Sequence, residues 1–476
     1  MQEAHKSLSC QRIIRKIYLT IKALNLRFAN LKNFTMSNKS MKIRLTAAAL
    51  IICSAAIAED YYGGTTDGSS KSGDITNVLN GGTYNTYYGG NVNTVSAGSP
   101  SGDVYGNITN ELTGVTITGN FIGANWTNDS SGKPSGIGGV SGKVTNIFDN
   151  SEVLGRTYGG NLSSGPNSQW TIGEIGEIET IVRNGSHIKE IGISGGAAIS
   201  RIKGSVTLIV EDSAVDEIYH NGGIYIGGDC NISIKNSEVK NYFEAYPAPG
   251  NSSWTKNGIG GNLNITIEGN SVIDGRAYPS LTGDSSINCG GACSIGGNIN
   301  FTIKDNAKVM GWISAGNQNN PDSTAKIANF NVESYAGETP LSIRGFDEVS
   351  ITDSTVEFAN SFDVEKLTVD TASTVALADG TSFGKLSVVF ADGVFEEGET
   401  FEFSIGDVFT DTTIVLSALE DGSSFTVLDS EGNEWSAVYD GTGNILIGAM
   451  IPEASHYAFI FGIVAIIFAA QRKRSK

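Results

Sequence analysis

Residues 259–272 read IGGNLNITIEGNSV, and 36 residues further on residues 295–309 read IGGNINFTIKDNAKV. In the first line Leu263, Ile265 and Ile267 alternate with Asn264, Thr266 and Glu268. Side chains of a strand point to opposite faces in turn, so one set faces a core and the other faces water. The apolar Val272 follows after a polar turn.

The same line recurs along the chain. It starts at Ile75, Ile108, Val144, Ile178, Val206, Cys230, Leu263 and Ile299, at steps of 33, 36, 34, 28, 24, 33 and 36 residues. Flanking echoes keep the register: YYGGNV at 87–92, TYGGNL at 157–162, IGGD at 226–229 and IGGN at 259 and 295. A period of this length built from short strands means a stacked array. One short strand cannot bury its apolar face alone, and stacking gives each strand neighbours above and below. Uneven steps are expected, because insertions bulge at a corner and leave the stacked strands in place. Gly at corners permits positive φ. Asn beside Gly is either a hydrogen-bonded ladder or an ordinary turn residue.

A shorter step follows. Lines starting at Val349, Leu367 and Leu386 are 18 and 19 residues apart. The fold expected is all-β: a parallel β-helix (β-solenoid) with a C-terminal β-rich cap, an N-terminal signal helix and a C-terminal transmembrane helix. The divisions are an upstream extension (1–40), a signal peptide (41–58), long repeats (59–320), short repeats (321–393), the cap (394–450) and a sorting tail (451–476).

The ends carry targeting patterns. From Met41 the chain has a basic start (Lys42, Arg44), an apolar run from Leu45 to Ile52, and small residues Ala56 and Ala58. This order predicts export, with signal peptidase cutting between Ala58 and Glu59. Residues 1–40 hold eight Lys or Arg and only Glu3 as an acid, upstream of that signal; Met41 or Met36 is the expected true start. At the other end Tyr457 to Ala470 is uncharged, and as a helix it would span about 21 Å at about 1.5 Å per residue. Arg472, Lys473, Arg474 and Lys476 follow, and such clusters stay cytoplasmic. Pro452 and Glu453, the apolar run and the basic cluster resemble the PEP-CTERM sorting signal of Gram-negative bacteria, with Ala454 in place of that family's second Pro. The resemblance implies recognition by an exosortase-type transpeptidase, transient anchoring in the inner membrane, and delivery to the cell surface, outer membrane or extracellular matrix. The repeats resemble the passenger regions of autotransporter adhesins in architecture and composition.

Residues 59–471 hold 18 basic and 49 acidic residues. Such a charge repels nucleic acid and anionic lipid. Extracellular polysaccharide remains a possible partner. Cys230, Cys289 and Cys293 are an odd set outside the leader, and Cys289 and Cys293 have no nearby His to complete a zinc site. No cofactor or metal is expected.

The search for chemistry finds little. Arg156, Arg183, Arg201, Arg276 and Arg344 are the arginines of the repeat region. Arg156 (LGRTY) and Arg276 (DGRAY) occupy one repeat slot, which reads as structural. Asp149, Asp212 and Asp305 are expected to bond local N–H groups in the turn after the strand. Tyr87, Tyr88, Tyr105, Tyr158, Tyr219, Tyr225, Tyr278 and Trp312 are expected to pack in the core or at corners; the competing role is a sugar-stacking platform. The expectation is a non-enzymatic structural or adhesive protein with no catalytic residues. The competing class is a glycan-active or glycan-binding protein, and a one-off group of acidic and basic side chains from adjacent repeats would favour it.

Overall fold

The computed structural model describes residues 58–450, apart from 95–100, 128–135, 164–172, 195–200, 221–224, 248–257, 275–284, 289–293, 317–324, 393–394, 396–400, 421–422 and 440–443. Ala58 opens this part and Glu59 begins its first strand, Glu59–Tyr62. Ala56, Pro452, Glu453, Arg472, Lys473 and Arg474 lie outside the described residues, as do Arg276, Tyr278, Cys289 and Cys293.

The described chain is mostly β, with large parallel sheets. The quoted line forms the strand Leu263–Glu268, which alternates buried and half-buried residues. It pairs in parallel with Ile299–Lys304, Leu263 opposite Ile299 and Ile265 opposite Phe301. Each of the seven long steps is such a pairing: Ile75 with Ile108, Ile108 with Val144, Val144 with Ile178, Ile178 with Val206, Val206 with Cys230, Cys230 with Leu263, and Leu263 with Ile299. The short steps pair likewise, Val349 with Leu367 and Leu367 with Leu386. Among the described residues no pairing joins the first strands of this ladder to its last. The long strands Val140–Asp149 and Ile175–Arg183 each pair with two strands of a neighbouring repeat, linking the main ladder to a side ladder.

A second parallel ladder follows the turn of each repeat. It includes Thr83–Tyr88, Glu152–Tyr158, His187–Gly192, Ala214–His220 and Glu238–Pro247. The two ladders enclose one contiguous apolar core running from Ile75 to Ile447. Between them the chain turns through a left-handed residue at one slot: Gly81, Gly114, Asn150, Asn184, Asp212, Asn236, Gly269, Asp305, Ser334 and Asp353 all have positive φ. Gly, Asn and Asp dominate there because they adopt this conformation at least cost.

Two features differ from the sequence reading. The strand Ala328–Glu333 is a further member of the main ladder, with Ala328 opposite Ile299 and Phe330 opposite Val349. It bridges the long and short steps, and it opens on the small Ala328 instead of a larger apolar residue. Beyond Val389 the parallel ladder gains one more strand, Ser424–Leu428, with Phe425 opposite Leu386. Antiparallel pairing then takes over among Phe401–Ser404, Glu434–Tyr439 and Asn444–Met450. The helix Thr412–Glu420 lies in this region too. Asp411 accepts the Thr413 N–H at 2.9 Å and caps it. Ile414, Val415, Ala418 and Leu419 repeat with helical spacing, not strand alternation, and pack on the core. Among the described residues no helix is long and apolar enough to cross a membrane.

Candidate functional site

Stacking in register turns each repeat position into a column, and several columns are polar. The first lies inside the core. Asn77, Asn110 and Asn146 face inward and are almost fully buried. Asn77 Nδ2 donates to Asn110 Oδ1 at 2.8 Å, and Asn110 Nδ2 donates to Asn146 Oδ1 at 2.8 Å. Asn146 Nδ2 donates to Thr180 Oγ1 at 3.2 Å. The same amides donate to the carbonyls of Gly89, Gly123 and Gly159. Glycine is required at this approach: a Cβ on Gly123 would lie 2.4 Å from the Gly159 oxygen. The Tyr87 hydroxyl donates to Asn110 Oδ1 at 2.8 Å, and burial pushes this phenol well above its ordinary pKa.

A second ladder sits at the Gly-rich corner, where the Thr65 N–H donates to Asn91 Oδ1, the Asn91 N–H to Asn125 and the Asn125 N–H to Asn161. Here Asn beside Gly is a hydrogen-bonded ladder. A third, of serines, follows the left-handed turn: the N–H groups of Ser151, Ser186, Ser213 and Ser237 donate to the hydroxyls of Ser186, Ser213, Ser237 and Ser271. These columns satisfy the buried polar groups. Among the described residues only Thr157 Oγ1 is a buried side-chain atom without a partner.

Charged side chains also align into columns. On the outer face of the second ladder Arg156, Glu190 and Glu217 occupy one column on three adjacent strands. Arg156 Nε lies 2.7 Å from Glu190 Oε2, and the Tyr219 hydroxyl donates to the same oxygen at 3.2 Å. Lys189 Nζ lies 3.8 Å from Glu190 Oε1. Glu217 makes no hydrogen bond or ion pair with any described side chain. Burial first, and then the Glu190 charge, raise its pKa; Lys189 and Arg156 oppose this. A neighbouring row holds His187 between Asp216 at 3.0 Å and Glu152 at 3.7 Å, with Lys240 3.6 Å from Asp216. Beside it an open groove of about 520 Å³ is lined by Gly185, His187, Asp212, Asn236, Glu238 and Asn270, among others. Chemically, one carboxylate is ion-paired to Arg156 while its neighbour Glu217 holds a proton more readily, on a sheet face and not in an enclosed cleft.

Several other residues singled out make contacts between repeats or lie in the core. Arg183 Nε binds Asp149 at 2.9 Å and Arg201 approaches Glu174 at 3.6 Å, each across repeats. Arg344 lies over the Trp312 ring at 5.3 Å. Asp212 and Asp305 take the left-handed turn slot, but Asp149 ends its strand and pairs with Arg183 and Asn184, leaving that slot to Asn150. Cys230 is a core residue. Tyr87, Tyr88 and Tyr158 are buried, Tyr219, Tyr225 and Trp312 half-buried, and Tyr105 is 59% exposed. Among the described residues no three His, Cys, Asp or Glu side chains converge as metal ligands.

Sequence reasoning missed the Arg156–Glu190–Glu217 column because the second ladder carries a register shift between Val153 and Arg156, which hides the pairing of Arg156 with Glu190. The inner Asn column had a signal: Ile-Thr-Asn, Ile-Thr-Asn and Val-Thr-Asn open three successive lines. No family model, curated protein or solved structure matches this chain.

Proposed function

We propose that this chain is an exported surface or matrix protein whose stalk is a right-through parallel β-helix, closed at its C-terminal end by the antiparallel strands of 401–450. Its role is structural or adhesive, without catalysis. The observation that carries this reading is the unbroken register of the main ladder from Ile75 to Leu386. A stack of like layers makes a rod whose length grows with each repeat and whose faces are long and regular. The antiparallel strands cover the last parallel edge, which otherwise templates aggregation. The basic–apolar–small order of 41–58 supports signal-peptidase cleavage, and Pro452, Glu453 and the basic tail support exosortase-type sorting.

The test is the mass of the mature protein recovered from cells. The expected species begins at Glu59 and lacks the basic tail. A tail intact past Ala470 would defeat the sorting proposal and leave the fold reading untouched.

One observation favours a second reading, a glycan-active protein. Glu190 and Glu217 are a carboxylate pair with divergent environments, beside Arg156 and Tyr219, and such pairs divide acid and base roles in glycoside cleavage. Reducing sugar released by the wild type but not by Glu190→Gln or Glu217→Gln would establish it.

A further inference from the structure

The outer face of the main ladder changes character along the stack. One outward column runs Ile147, Ile181, Ile209 and then Ser233, Thr266, Thr302, Asn331. The adjacent outward column is Asn231, Asn264, Asn300 and Asn329 over those same four repeats. Its amides form a ladder: Asn264 Nδ2 donates to Asn231 Oδ1 at 2.8 Å, Asn300 to Asn264 at 2.8 Å and Asn329 to Asn300 at 2.9 Å. All eight side chains are half-buried. The ladder fixes each amide plane, and each donating amide keeps a second N–H that no described group accepts.

The next outward column alternates in sign, Lys235, Glu268, Lys304, Glu333, with Lys235 3.5 Å from Glu268 and Lys304 paired to Glu333. The face is therefore close to neutral in a strongly acidic protein. It presents fixed amide and hydroxyl groups about 4.8 Å apart along the stack. That spacing is comparable to the rise of one pyranose unit in an extended glycan.

We propose that the Asn231–Asn329 and Ser233–Asn331 columns are a docking strip for a neutral, linear polysaccharide lying along the stack axis. The amide N–H groups donate to sugar hydroxyls, and the Ser and Thr hydroxyls donate and accept. Preorganisation supports this occupant, because the ladder bonds have already removed the side-chain entropy that binding would otherwise cost. A peptide adding as a strand needs a free sheet edge, and this is a sheet face. The inference rests on the adhesive reading and gives it a ligand class.

The test is native affinity electrophoresis of the full chain in mild non-ionic detergent, in gels containing hydroxyethylcellulose or carboxymethylcellulose. Retardation by hydroxyethylcellulose is expected, nearly unchanged by added salt, with weaker retardation by the anionic polymer. The Thr266→Val/Thr302→Val variant keeps shape and strand preference and should lose about tenfold in affinity, with an unchanged Tm. Thr109→Val/Thr145→Val, outside the strip, should bind like the wild type. A wild type that hydroxyethylcellulose does not retard overturns the proposal. So does equal loss in both double variants, or stronger retardation by carboxymethylcellulose. A mature mass beginning at Glu59 together with absent retardation would sink the strip alone and leave the export reading standing.

Discussion

The same inward column is filled in two ways. In the early repeats it is Asn77, Asn110, Asn146 and Thr180; in the later ones it is Leu208, Ile232, Ile265, Phe301 and Phe330. The backbone register is continuous across the change. A parallel stack thus accepts either an amide column, in which every polar group must find a partner, or an apolar column, which needs only volume. The two differ in specificity. An Asn that leaves the column loses its bonds to the neighbouring Asn and to a Gly carbonyl, whereas a displaced Leu loses only apolar contact. The early repeats therefore hold alignment through hydrogen bonds, and the later repeats hold it through the outer Asn ladder and the serine turn column.

Exchanging the two fillings should break each region. Asn110→Leu strands the Tyr87 hydroxyl and the Asn77 amide in the core, and Ile265→Asn buries an amide between Ile232 and Phe301. Each is expected to cost at least about 3 kcal/mol in urea unfolding, because a buried unsatisfied polar group costs about 1–3 kcal/mol and more than one is created, or an apolar contact is lost as well. A neutral outcome for Asn110→Leu would mean that the amide column adds nothing beyond its volume.

A smaller effect is expected at the outer charged column. The pKa of Glu217 is raised in the fold, so its protonated form is the one the fold favours. Its contribution is present below its unfolded pKa and is lost as pH rises through the folded value. Tm should therefore fall across that interval on going from acid toward neutral pH. Glu217→Gln should remove this slope and raise Tm at neutral pH. A variant with the wild-type pH slope would show that the fold does not raise the Glu217 pKa. The smallest effect belongs to the exposed Arg183–Asp149 pair between repeats. Arg183→Ala should change stability by less than about 1 kcal/mol and leave the serine column beside it intact.

Much of the fold was legible because alternation and spacing are local. Leu263, Ile265 and Ile267 declare a strand, and the recurrence of their line declares its neighbours. Ala328–Glu333 escaped because its line opens on the small Ala328, where the other lines open on Ile, Val, Leu or Cys. The helix at 412–420 escaped because a β-rich surrounding was extended over a stretch whose apolar spacing was already helical. Asn77, Asn110 and Asn146 share the inward parity of Ile75, Ile108 and Val144, and their common place after Ile-Thr or Val-Thr marks them as a column. The Arg156–Glu190–Glu217 group was the least legible, since irregular pairing in the second ladder hides which residues become neighbours.

By itself the sequence determined which segments become strands and in what order they stack, because a strand's two faces and a repeat's period are written in consecutive residues. Only the tertiary structure decided which polar side chains enter the core and which charged ones meet outside. Those choices depend on partners one repeat away: the Gly carbonyl that accepts an amide, or the bulge that brings Arg156 beside Glu190.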